Sequence, residues 1–193
     1  MDLQGLSLAP YLRACVAGDW IVFLDLRHDR YWALPCGLSC AELEARLARR
    51  GLLGARDVQP SAHGASAALS GDALSMLRAG MWANHIVKHG KLEAAFNWIE
   101  RRKRAQAPIA PDGAEAEAYA AFERLRPWLP WPYVCLFNSL CLIRFLFARG
   151  CQADLVIGVR ARPFVAHAWV EARGIILDAG SEDCASFAEI ARV

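Results

Sequence analysis

A change of hydrophobic period near Gly150 constrains this chain most. Before it, Cys135-Leu-Phe-Asn-Ser-Leu opens the most apolar helical segment of the sequence, which runs to Gly150. After it, the apolar period falls from 3.6 to 2, and Asp154–Val159, Val165–Glu171 and Ile175–Asp178 read as strands, with a turn at Arg160–Pro163. A core helix packed on such strands implies an α+β domain. The prolines of Pro127-Trp-Leu-Pro-Trp-Pro132 make a rigid entry and confine the helix to about 15 residues, short of the roughly 20 a membrane span needs. A core helix with no membrane contact is expected.

The first third of the chain has a different texture. Tyr11–Val16, Asp19–Leu26 and Arg30–Leu34 are rich in β-branched and aromatic residues, with turns at Gly18 and Arg27-His28-Asp29. Pro35 and Gly37 end this three-stranded sheet. Ser39 with Glu42 forms a capping box for a helix from Cys40 to about Arg49. Residues 55–70 are rich in Ala, Ser and Gly and read as loop. A helix carrying Leu74, Leu77 and Met81 follows, then a long helical pattern from Met81 to Arg104, interrupted near His89-Gly90. Ala105–Gly113 reads as a loop and Glu115–Arg126 as a short helix.

With 193 residues, 55% of them hydrophobic, the chain can bury a real core in one or two small domains. A net charge of +2 points to no nucleic-acid partner, and the basic run Glu100-Arg-Arg-Lys-Arg104 reads as a solvated helix end. Seven cysteines without regular spacing suit a reduced, cytoplasmic protein, and no signal-peptide pattern opens the chain. No Cys-x-x-Cys pair is present, so no metal is expected; Cys36 and Cys40 read as core. No nucleotide motif appears, and no cofactor is expected.

The chemistry gathers in the C-terminal half. A helix start presents free N–H groups and partial positive charge, which favour a thiolate at Cys135 and could hold an acyl oxyanion. Trp128, Trp131 and Asn138 are further oxyanion-donor candidates or packing residues. Cys141, Cys151 and Cys184 lack that field. On the strand, His167, Trp169 and Glu171 share one face, and Ala166, Ala168 and Val170 the other. A two-residue turn at Arg173-Gly174 would set Ala172 against Ile175 and Trp169 against Asp178, putting Asp178 on the His167 face. Cys135, His167 and Asp178 could then form a nucleophile, base and orienting carboxylate. A structural strand histidine and a buried cysteine are the alternatives.

Cys135-Leu-Phe-Asn-Ser-Leu, Leu155-Val-Ile-Gly-Val-Arg160 and Pro163-Phe-Val-Ala-His-Ala-Trp-Val-Glu171 together resemble the leader peptidases of lasso peptide biosynthesis, the B proteins of the transglutaminase-like superfamily. The resemblance is strongest over about 130–180. It implies a papain-like cysteine peptidase fold, with Cys135 as nucleophile, His167 as base and Asp178 as orienter. Val22-Phe-Leu-Asp-Leu-Arg-His-Asp-Arg-Tyr-Trp-Ala-Leu34 is similar to the hairpin of the PqqD-like, winged-helix module that recognises precursor peptides. That implies a fused chain, with residues 1–80 holding a leader peptide and residues 81–193 cutting it. Phe23, Leu24, Tyr31, Trp32 and Leu34 are the candidate leader contacts, although Phe23, Tyr31 and Trp32 could equally fill a small core. An exposed sheet edge could accept the leader as an added strand.

The expected function is therefore removal of a leader from a ribosomal precursor, before a separate ATP-using macrolactam synthetase closes the ring. A non-catalytic precursor-binding scaffold and an acyltransferase on the same fold are the alternatives.

Overall fold

Gly18 and the Asp25 carboxylate shape the turns that fold the first strands back on one another. Asp25 accepts hydrogen bonds from the N–H groups of Arg27 (2.9 Å) and His28 (3.2 Å). Strands β1 (Leu12–Ala17), β2 (Trp20–Asp25) and β3 (Arg30–Pro35) form an antiparallel meander with β2 in the centre. The computed structural model describes residues 7–53, 71–105, 113–131, 134–178 and 184–193. The loop expected at 55–70 and most of that at 105–113 fall outside them.

Helix α1 (Cys40–Ala48) opens with the expected Ser39–Glu42 capping box. Its Leu43 and Leu47 cover Ile21 and Phe23 on one face of the sheet. The other face carries Val22 and Leu24, which join the main core.

That core is built on four further helices: α2 (Asp72–His89), α3 (Leu92–Ala105), α4 (Ala114–Leu125) and α5 (Cys135–Ala148). Helix α2 runs unbroken through Met81, where two separate segments were expected. It turns Met76, Ala79, Ala83 and Ile86 inward and leaves Leu74, Leu77 and Met81 40%, 43% and 49% exposed. Ala79 and Ala83 on the inner face let helices approach closely, between the larger buried Met76 and Ile86.

The second sheet has the order β6-β5-β4-β7 and is antiparallel throughout. Its strands are β4 (Asp154–Arg160), β5 (Val165–Ala172), β6 (Ile175–Ile176) and β7 (Ala188–Arg192). Helix α5 packs on one face: Leu140, Ile143 and Phe147 share a core with Leu155, Ile157, Ala168 and Val170. Val156, Trp169, Cys184 and Phe187 form a smaller cluster on the opposite face. At Gly158 a Cβ atom would come within 2.7 Å of the Trp169 ring, so the absent side chain is what admits the indole. Among the described residues, no helix is long and apolar enough to cross a membrane.

The N-terminal sheet is joined to the rest by more than the chain. The Glu93 N–H donates to the Leu26 carbonyl (2.9 Å), and Arg27 pairs with Glu93 (3.2 Å). Arg162 lies over the Trp20 ring at 5.5 Å. The boundary expected at residue 80 falls inside α2.

Candidate active site

Cys135 is the first residue of α5 and is half-buried. Val134 precedes it in extended conformation (φ −100°, ψ 145°) and offers no side-chain cap to the helix. The first-turn N–H groups are thereby left for an anion, the geometry expected of a thiolate or oxyanion site.

Ser139 lies one turn further on and is fully buried. Its Oγ is 2.8 Å from Asp178 Oδ2 and 3.0 Å from the Ala168 carbonyl oxygen. The other Asp178 oxygen accepts the N–H of Val170. Asp178 therefore ties α5 to β5.

The hairpin behind this arrangement has the expected register. Arg173 (φ 50°) and Gly174 (φ 77°) make the turn, and Ala172 pairs with Ile175 and Glu171 with Ile176. Two positive φ angles in a two-residue loop match the right-handed strand twist, and glycine takes the second without strain. The face of Asp178 is not the expected one. Leu177 donates its N–H to the Val170 carbonyl, but the Val170 N–H turns to the Asp178 carboxylate. A regular ladder would return that bond to the Leu177 carbonyl. The chain leaves the ladder there, and the Asp178 side chain swings to Ser139 on the α5 side.

His167 takes the other face, as alternation requires. Its ring lies 5.9 Å from Trp169 and 5.5 Å from Phe187. Glu171, on the same face, is engaged elsewhere: it accepts from Trp169 Nε1 (2.7 Å) and from Arg192 Nη1 (2.7 Å).

Burial pushes the Asp178 carboxyl up from 3.8 to about 6, against the lowering influence of the Val170 N–H, the Ser139 hydroxyl and Arg126. Burial also raises Cys15 to about 11 and Cys141 to about 12, and raises Cys151 with help from Glu115. These three thiols keep their protons at neutral pH.

Of the candidate leader contacts, Phe23 and Leu24 are fully buried. They lie on the central strand, covered on both faces, and serve as core. Phe23 stacks on Trp32 at 5.3 Å with an interplanar angle of 7°. Tyr31, Trp32 and Leu34 on β3 stay half-buried. Trp32 and Leu34, with Arg46, Leu47, Arg49 and Arg50, line a groove of about 310 Å³ between β3 and α1. Trp32 Nε1 is buried there without a hydrogen-bond partner.

Tyr31 has a second setting that sequence reasoning missed. Its ring meets Phe164 edge-on at 5.6 Å. Burial first, then Asp29 and Cys135, raise the pKa of its phenol. The N-terminal sheet thus brings a protonated hydroxyl into the electrostatic reach of Cys135. No local pattern signals a contact between elements so far apart in the chain. Of the other oxyanion candidates, Trp128 is 83% exposed and Trp131 packs on Phe137 at 6.0 Å.

No solved structure matches the chain. A stretch of 44 residues is 48% identical to the microcin J25-processing protein McjB of Escherichia coli, covering 23% of this chain and 21% of that protein. The chain therefore spans about a fifth of the curated relative it matches. The description of the transglutaminase-like superfamily matches residues 84–192, more than half of the chain and all of α3, α5 and the second sheet. The helix that opens on Cys135 and the sheet it packs against lie within that match, and the chain belongs to the transglutaminase-like superfamily.

Proposed function

We propose that this chain is a cysteine peptidase that removes the leader from a ribosomally made lasso peptide precursor. The observation that carries the reading is Cys135 at the uncapped start of α5, packed on the second sheet of a transglutaminase-like fold. The partial likeness to a microcin-processing protein supports the substrate class.

In this reading the Cys135 thiolate attacks the scissile carbonyl, and the N–H groups of the α5 start hold the oxyanion. His167 takes the thiol proton and returns it to the leaving amine. Water then hydrolyses the thioester. Asp178 is the third member, with Ser139 as its present partner. Its bonds to Ser139 and Val170 hold β5, and so His167, against the helix that carries Cys135.

The N-terminal sheet and α1 act as the PqqD-like recognition unit. The leader lies along the β3 edge over the Trp32–Leu34 groove. Arg46, Arg49 and Arg50 favour an acidic segment. Tyr31 at the other end of β3 lies toward Cys135, so a leader antiparallel to β3 would deliver its C-terminal end to the nucleophile. The freed core passes, in the cytoplasm, to a separate ATP-using macrolactam synthetase.

The experiment uses a short precursor peptide encoded beside this chain. The full-length protein should cleave it at one bond, seen by mass spectrometry, and Arg49→Glu should weaken its binding. Binding without cleavage would leave a scaffold, and transfer of the acyl group to an added amine would make the chain an acyltransferase.

A further inference from the structure

Arg102 on α3 and Arg144 on α5 share one corner of the helical layer with Trp82 and Trp98. The Arg144 guanidinium lies 4.9 Å from the ring centroids of both tryptophans, and that of Arg102 lies 5.9 Å from Trp98. The two indoles are 5.0 Å apart. All four side chains are half-buried.

The charges are not balanced. Arg102 Nε is buried without a hydrogen-bond partner. Neighbouring Lys103 and Arg104 pair with Asp154 and Glu100, but among the described residues neither Arg102 nor Arg144 pairs with a carboxylate. Cys141 is the near titratable group on α5, and it is held protonated. Burial and the charge of Arg102 both weaken the hold of Arg144 on its proton. Two like charges are thus kept near one another in a half-buried corner. Indole faces offset part of that cost and supply no counter-charge.

We propose that Arg102 and Arg144 form a binding site for a dianionic oxyanion of the phosphate class. Two guanidinium forks offer several N–H donors to tetrahedral oxygens, and two negative charges match two positive ones. A lone carboxylate would leave one charge over. The site is separate from the peptidase centre: nine residues of helix put Arg144 about 13 Å along α5 from Cys135. The bound group is either free phosphate or the phosphoryl group of an organic phosphate.

Tryptophan fluorescence of the full chain tests this, titrating inorganic phosphate and phenyl phosphate against sodium chloride at matched ionic strength. A saturable response to phosphate is expected, with a rise in melting temperature. Arg102→Gln and Arg144→Gln should each weaken it about ten-fold or more, the worth of a charged hydrogen bond. A response to both probes identifies the free ion, and one to phenyl phosphate alone identifies an organic phosphate. If a glutamine variant fails to fold by circular dichroism, Arg102→Lys replaces it, keeping the charge and losing the fork. No saturable response to either probe, or equal responses in wild type and folded variants, overturns the proposal.

Discussion

Ser139 Oγ stands between Asp178 Oδ2 at 2.8 Å and the Ala168 carbonyl oxygen at 3.0 Å. A hydroxyl has one proton and here faces two acceptors. With Asp178 ionised, one contact has no proton in it. With Asp178 protonated, the carboxyl donates to Ser139 and Ser139 donates to Ala168. The proton count thus agrees with the burial that pushes Asp178 up to about 6.

Asp178→Asn follows directly. The folded carboxyl pKa lies above its ordinary value of 3.8. Its contribution to stability is therefore complete below about 3.8 and is lost as pH rises through about 6. Asparagine can donate to Ser139 and accept from Val170 at every pH. The variant should match wild type near pH 4 and exceed it at pH 8 by on the order of 3 kcal/mol. Urea unfolding at both pH values measures this. If Asp178 also completes the triad, the same stable variant loses turnover by orders of magnitude.

Ser139→Ala removes the bridge and leaves the Asp178 and Ala168 oxygens buried without its hydroxyl. A loss of about 1–3 kcal/mol is expected, the usual cost of an unmet buried polar group. Denaturant midpoints would show it, and an unchanged midpoint would mean that water enters freely.

Thiol reactivity should single out Cys135. Cys141 and Cys151 are buried and Cys15 half-buried, and burial keeps all three protonated near neutrality. Limited iodoacetamide treatment followed by peptide mapping should label Cys135 before any of them. Earlier labelling of Cys141 or Cys151 would remove the nucleophile assignment.

Gly158→Ala should destabilise the second sheet. The new methyl group would meet the Trp169 ring at 2.7 Å and Phe187 Cβ at 2.8 Å. Overpacking of that kind costs about 1–3 kcal/mol. The melting temperature checks it, and Val156→Ala, which opens space in the same cluster, should lower it too.

Local features were legible in the sequence because they depend on neighbours in the chain. The Ser39–Glu42 capping box, the Arg173-Gly174 turn and the start of α5 at Cys135 are of this kind. Features set by distant partners were not. Ala188–Arg192 lacks strand composition and becomes β7 by pairing with β4. The outward face of α2 depends on what packs beneath Met76 and Ala83. Asp178 changes face because β6 ends at Ile176 and the side chain finds Ser139. Alternation placed His167 with Trp169, but which face α5 covers is a tertiary fact, and so is the nearness of Tyr31 to Cys135.

As the proposed nucleophile, Cys135 forms an acyl-enzyme with a precursor peptide. Acid quenching of a single-turnover reaction, followed by intact-protein and peptide mass spectrometry, tests it most directly. An adduct is expected that adds the mass of the released N-terminal leader fragment less one water, joined as a thioester at Cys135, labile to hydroxylamine and absent in Cys135→Ala. Cleavage of the same bond at an undiminished rate by Cys135→Ala would contradict it.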